Sequence, residues 1–388
     1  MITLISNVGT LVTPAGRGAV FGRQMSDLKV HEDVDLLLRD GRVAAIDREI
    51  RVDQPDDIID ADGRAVVPAL IDPHRHAAIL PISEAAEHRD AEVAFDGEAS
   101  IARLRRACRR AIRDGVGAME LKCRSRERED EGGGLATLIA ADHVASEMPG
   151  HVVSTLLLDS SIADGRARDD WISELIGRVI PSAKRRRVGK FCGVGCGVSG
   201  YAVREAEAIL RAARSAGLRP KLHAEGGETD DVSLLAAKLN AASIDHTDKC
   251  GPRAARALRR AGVVSVLLPG PAFLNGRAYP DARGMIGSGL AVALGSDYGL
   301  GGRGLESMWA VLAFGIEKMR LSPEEALTAC TLNAAAALEM ADETGSIEVG
   351  KSADVAILDA GSIDEIGFGI GSSPIHEVII RGRRVGGA

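Results

Sequence analysis

His74 and His76 stand two apart, with Arg75 between them, directly after Pro73. On an extended segment, residues i and i+2 face the same side. Two imidazoles facing one way suit a borderline cation such as zinc. His223 offers a third imidazole in Lys221-Leu222-His223-Ala224-Glu225. Asp297, in Ala293-Leu294-Gly295-Ser296-Asp297-Tyr298-Gly299, offers a carboxylate. Three imidazoles and one carboxylate leave room for a water, the pattern of a catalytic centre that holds one divalent metal. Zinc is expected first, with iron or manganese as alternatives. A metal there brings the pKa of water towards neutrality. Asp297 then takes the proton of the attacking water and passes it to a leaving nitrogen. His246 is placed to hydrogen-bond the substrate carbonyl or the attacking oxygen.

These residues are scattered along the chain, so the fold must gather them. The middle of the sequence alternates short apolar strands with helical stretches. Eight strand candidates are Val66–Asp72, Val116–Lys122, Val152–Leu158, Val188–Val194, Leu218–His223, Ala241–His246, Val263–Leu268 and Leu290–Ser296. Helical patterns such as Ile101–Arg113, Ala202–Ala216, Val232–Leu239 and Pro252–Ala261 lie between them. Eight β-then-α units predict an α/β fold, a TIM-like (β/α)8 barrel over residues 66–344. All strand C-termini of such a barrel open on one face, and His74, His76, His223, His246 and Asp297 each end or follow a strand. The two chain ends, 1–65 and 345–388, share short alternating runs broken by Gly and Asp, which predicts one small composite β domain, a β-sandwich built from both termini.

Composition narrows the partners. The chain has 388 residues, a formal net charge of −7 and 3% aromatics. That balance argues against nucleic acid, whose binders are basic and rich in stacking side chains. No apolar run reaches the ~18 residues of a membrane span, so no membrane partner is expected. The N-terminus lacks a basic leader, and six scattered cysteines fit reduced thiols, which together predict a cytoplasmic enzyme acting on a small molecule. The basic run Arg103 to Arg110 falls on a helix whose other face carries Ile101, Leu104, Cys108 and Ile112; it reads as a solvated face.

The residues also carry a resemblance. Val67-Pro68-Ala69-Leu70-Ile71-Asp72-Pro73-His74-Arg75-His76, Ser243-Ile244-Asp245-His246, Val266-Leu267-Leu268-Pro269-Gly270, Thr331-Leu332-Asn333-Ala334-Ala335 and Gly345-Ser346-Ile347-Glu348-Val349-Gly350-Lys351-Ser352-Ala353-Asp354 run in the order found in the amidohydrolase superfamily. Within it the chain is similar to the imidazolonepropionases. The resemblance implies a metal-binding barrel, a possible homodimer, and hydrolysis of a C–N bond in a cyclic amide, imide or amidine. Imidazolonepropionases carry a catalytic Glu three residues after the strand-5 His, where this chain has Gly226, flanked by Glu225. Their Lys-Ser-Gly-Tyr-Gly segment reads Lys122-Cys123-Arg124-Ser125-Arg126 here, and their strand-3 His is missing from Leu158-Asp159-Ser160. The donors that would hold a metal match, and the residues that would hold the substrate do not, so a different cyclic substrate is expected. Glu225 joins Asp297 and His246 as a catalytic candidate. Arg75, Lys122, Arg124 and His246 are the substrate-binding candidates, with Arg126 a weaker one; guanidinium pairs well with an anionic group.

Three other readings compete. A deaminase of an amino-substituted heterocycle would use the same donors to expel ammonia. A catalytically inactive barrel is motivated by Gly226. An NAD(P)-dependent oxidoreductase is motivated by Gly195-Cys196-Gly197-Val198-Ser199-Gly200, a dinucleotide-type fingerprint between a strand and a helix. That last reading leaves His74, His76 and Asp297 without a role.

Overall fold

The computed structural model describes residues 1–77, 97–125, 135–158, 167–198, 200–225, 230–299, 304–365 and 370–387. Among the described residues, sixteen strands fall into two sheets. The terminal sheet takes β1 (Ile2–Thr13), β2 (Lys29–Arg39), β3 (Arg42–Asp47), β4 (Asp57–Asp60) and β5 (Ala65–Pro68) from the start of the chain. It takes β14 (Val355–Leu358), β15 (Ile375–Ile380) and β16 (Arg383–Gly387) from the end. The order is β16-β15-β14-β5-β1-β2-β3, with β4 paired to β1. Alternate residues Val34, Leu36 and Leu38 of β2 meet Val355 and Ile357 of β14 in one buried cluster. Period-two patterning therefore builds one core from both chain ends, in a single continuous mixed sheet.

The second sheet is the barrel. Its strands are β6 (Leu70–His76), β7 (Val116–Arg124), β8 (His151–Leu158), β9 (Phe191–Gly197), β10 (Arg219–Glu225), β11 (Ser243–Asp245), β12 (Val264–Leu267) and β13 (Val292–Leu294). Each pairs in parallel with its neighbour in chain order. The ring closes just beyond β13. There Asp297 N–H donates to the His74 carbonyl at 2.9 Å and His76 N–H to the Tyr298 carbonyl at 2.8 Å.

One expected strand divides. Val66–Asp72 reads as a single apolar run, yet β5 belongs to the terminal sheet, pairing with β14, and β6 opens the barrel. Pro68 has no N–H for a ladder, and the chain changes sheets at Ala69, whose N–H donates to the Asp354 carbonyl at 3.0 Å. The helix Glu98–Arg113 buries Leu104, Ala107, Cys108, Ala111 and Ile112 and leaves Arg106, Arg109 and Arg110 exposed, so its basic residues are a solvated face. Among the described residues, no helix is long and apolar enough to cross a membrane.

Candidate active site

The C-terminal ends of the barrel strands bring five predicted residues together. His74 and His76 end β6, His223 lies on β10, His246 follows β11 and Asp297 follows β13. The His74 ring centroid is 5.3 Å from that of His76, 5.1 Å from His223 and 5.2 Å from His246. Asp297 Oδ1 lies 3.1 Å from His76 Nε2 and 3.3 Å from His74 Nε2. Two overlapping sets, His74–His223–His246 and His74–His76–Asp297, each keep their donor atoms within 4.8 Å of one another.

Local backbone explains the aim of these side chains. His246 and Asp297 both have positive φ, 59° and 54°, a conformation uncommon outside glycine and best tolerated by short polar residues. The turn after β13 is fixed by buried Asp72. Its Oδ2 accepts from Ser296 Oγ at 2.6 Å, and its Oδ1 accepts from the N–H groups of Ser296 at 3.1 Å and His74 at 3.2 Å. Gly299 has φ +117° and sits where a Cβ would lie 2.6 Å from the His76 carbonyl oxygen, so only glycine lets the loop cross here. Gly193 on β9 faces His223 in the same way: a Cβ would come within 3.2 Å of His223 Nε2.

Burial sets the electrostatics. It pushes the pKa values of His76 and His246 down to about 4 and that of His223 well below the usual imidazole value, so all three are neutral near pH 7. His74 is the exception. Burial and Lys122 push it down, but the carboxylates of Asp245 and Asp297 outweigh them and raise it. Burial would raise Asp297; His74 and His76 outweigh it and hold the acid well below the ordinary carboxylate range. Nε2 of His74 and Nε2 of His223 are buried and find no hydrogen-bond partner among the described residues. An unsatisfied buried acceptor is costly. Buried imidazole nitrogens gathered beside ionised carboxylates, His74 Nε2 at 3.3 Å from Asp297 Oδ1 and His223 Nε2 at 3.6 Å from Asp245 Oδ2, are the donor set a divalent cation requires.

Two substrate-binding expectations need correction. Arg75 is fully buried; its guanidinium lies 3.4 Å from Asp72, 3.5 Å from Glu306 and over the Tyr298 ring. As the residue between His74 and His76, it points to the opposite face of β6. Lys122 is 1% exposed, and its Nζ donates to Glu120 Oε1 at 2.9 Å and Asp245 Oδ2 at 2.7 Å. Its ammonium is held inside the barrel between these two carboxylates. Arg124 ends β7 half-buried, and its charge acts on His76, which places it at the mouth. Glu225 closes β10 opposite Gly197; its side chain lies outside the described residues, as do Arg126, Asp159, Ser160 and Gly226.

Asp245, Glu120 and Lys221 escaped the sequence reading, yet Asp245 Oδ2 lies 2.9 Å from His74 Nδ1. The signal was present. Glu120 and Lys122, Lys221 and His223, and Ser243 and Asp245 are i, i+2 pairs of polar residues inside otherwise apolar strands. Such pairs mark the barrel interior.

The glycine-rich segment that begins inside β9 at Gly195 does not have the setting of a dinucleotide site. β9 is an interior member of a parallel barrel whose strands follow chain order, so no strand-order reversal opens the crevice a dinucleotide needs.

Comparison with known proteins agrees with this geometry. The amidohydrolase family profile matches residues 65–385. Imidazolonepropionase from Parabacteroides distasonis is 32% identical over 97% of this chain and 97% of its own. The imidazolonepropionase of Thermoanaerobacter pseudethanolicus is 29% identical over 97% and 96%. The solved structure of N-isopropylammelide isopropylaminohydrolase from Burkholderia multivorans superposes with a TM-score of 0.75 at 18% identity, covering 100% of this chain and 98% of that one. Family match, barrel and converging histidines agree: the chain belongs to the amidohydrolase family and is a hydrolase of carbon–nitrogen bonds.

Proposed function

We propose that this chain holds one divalent metal, zinc in first place, through His74, His76, His223 and Asp297, and uses it to open a small cyclic amide, imide or amidine. The observation that carries the reading is the pair of buried Nε2 atoms, on His74 and His223, that find no hydrogen-bond partner among the described residues, with His74 Nε2 3.3 Å from the ionised Asp297. A divalent cation bound there supplies Lewis-acid polarisation and brings water to a reactive protonation state near neutral pH. Asp297 accepts the proton of the attacking water and delivers it to the leaving nitrogen. Half-buried His246 hydrogen-bonds the oxygen on which charge develops. Glu225, at the end of the same strand as His223, is a second carboxylate for proton transfer. Arg124 at the mouth pairs with an anionic group of the substrate.

The substrate differs from that of the imidazolonepropionases. Gly226 occupies the register of their catalytic Glu, and a missing polar partner costs a substrate 10-fold to far more. Weak or absent imidazolonepropionase activity is expected. The test is a screen of metal-loaded protein against hydantoins, imidazolones, lactams and amino-substituted heterocycles, with elemental analysis alongside. About one equivalent of metal with turnover of a cyclic amide supports the reading. Turnover confined to the amino-substituted rings would make the enzyme a deaminase. Efficient hydrolysis of imidazolone propionate, at kcat/KM of about 10⁴ M⁻¹s⁻¹ or more, would show that the altered residues do not exclude it. A homodimer is part of the proposal on the strength of the superfamily resemblance, and light scattering at micromolar concentration checks it.

A further inference from the structure

Behind the proposed metal ligands lies a second layer of charge that neither the resemblance nor the reaction accounts for. Glu120 and Lys122 on β7, Lys221 on β10 and Asp245 on β11 are each 0–1% exposed. They form one chain of contacts. Lys221 Nζ donates to Glu120 Oε2 at 2.6 Å, and Lys122 Nζ donates to Glu120 Oε1 at 2.9 Å and to Asp245 Oδ2 at 2.7 Å. Thr155 Oγ1 also donates to Glu120, and Ser243 Oγ donates to Asp245 Oδ1 at 2.9 Å. The chain ends on His74, whose Nδ1 is 2.9 Å from the same Asp245 Oδ2.

An aspartate whose oxygens already receive an ammonium and a hydroxyl has one remaining role towards His74, which is to accept its Nδ1–H. That fixes the tautomer and turns the Nε2 lone pair towards Asp297 and His76. Two carboxylates facing two amines in a barrel core are a poor source of stability, since well-packed apolar residues do as well or better. Their value lies in direction. We infer that Asp245, held by Lys122, is a positioning residue that sets the orientation and tautomer of His74, and that the Glu120–Lys221 pair anchors Lys122 for this purpose. The inference rests on the ligand set proposed above.

The test uses the full chain with Asp245→Asn, Lys122→Met and the double variant. Zinc affinity is read by chelator competition, and ligand geometry by the visible spectrum of the cobalt-substituted protein. Asp245→Asn should weaken metal binding by about 10- to 100-fold and change the cobalt spectrum. Lys122→Met should act in the same direction, with the double variant falling short of the product of the singles because both act through His74. Nitrogen-15 histidine NMR of the metal-loaded wild-type protein needs no variant to fold. A proton on His74 Nδ1 supports the inference; a proton on Nε2 overturns it. Wild-type affinity and spectrum in a folded Asp245→Asn variant would also overturn it. Failure of the metal reading itself looks different: the wild-type protein would retain no metal, or His76→Ala would retain it in full.

Discussion

At the scale of single residues, Asp297 has the sharpest consequence. It is the carboxylate common to His74 and His76, and both hold it ionised despite burial. Asp297→Asn keeps the shape and removes the basic oxygen. The rate should fall by roughly two to four orders of magnitude, measured as kcat on the substrate found in the screen, while part of the metal stays bound. Turnover at the wild-type rate would remove Asp297 from the proton path. His76→Ala removes a donor outright, and elemental analysis should show the metal lost together with activity. The i, i+2 spacing of His74 and His76 made this pair legible from the sequence, and the same spacing should have warned that Arg75 faces the other way. Lys122 misled for another reason: Asp245, the carboxylate that ties it to His74, lies on a different strand, and pairing at that distance in sequence leaves no local pattern.

At the scale of elements, the number and order of barrel strands were legible because each strand is a short apolar run followed by a helical period. Their ends were less so. Val188–Val194 is displaced to Phe191–Gly197, since the glycines of β9 look like loop until neighbouring strands supply their hydrogen bonds. The junction between sheets was hidden too, because buried strands of either sheet read alike. That junction has its own chemistry. Buried Asp354, just before β14, accepts from His151 Nε2 at 3.1 Å, Thr344 Oγ1 at 2.9 Å and the Arg381 N–H at 2.9 Å. Burial would raise its pKa, but His151 and these donors outweigh burial and lower it. A carboxylate lowered in this way stabilises the fold fully above the unfolded value near 3.8 and loses that contribution as pH falls through the folded value. Asp354→Asn should therefore cost about 1–3 kcal/mol at pH 7, measured by urea unfolding. The gap from wild type should narrow as pH falls below about 3.8 and close once it passes the lowered folded value, where the wild-type residue is itself protonated. An equal gap at both pH values would remove the ionised form from the account.

At the scale of the whole molecule, the proposed metal is also a stabiliser. A ligand at a thousand times its Kd adds about 4 kcal/mol to the stability of the state that binds it. Dialysis against a chelator should lower the unfolding temperature, and zinc should restore it. An unchanged Tm after verified metal loss would count against a site built into the barrel.

The barrel closes where the chain brings His74 and His76 against Asp297 and Tyr298, through backbone hydrogen bonds between segments 221 residues apart at His76 and Asp297. Every other strand of the ring can add beside its predecessor in the sequence; this contact is the most expensive in loop entropy and has the least local help. The ring is thus a hoop whose clasp is expected, on loop entropy, to form late and open first, and the donors proposed for the metal sit on both halves of the clasp. Hydrogen exchange should single out two amides. Those of Asp297 and His76 should exchange faster in metal-free protein than those midway round the ring, on β9 and β10, and should slow selectively when metal is returned. An enzyme that has lost its metal would then lose the last step of its own folding before it lost its shape.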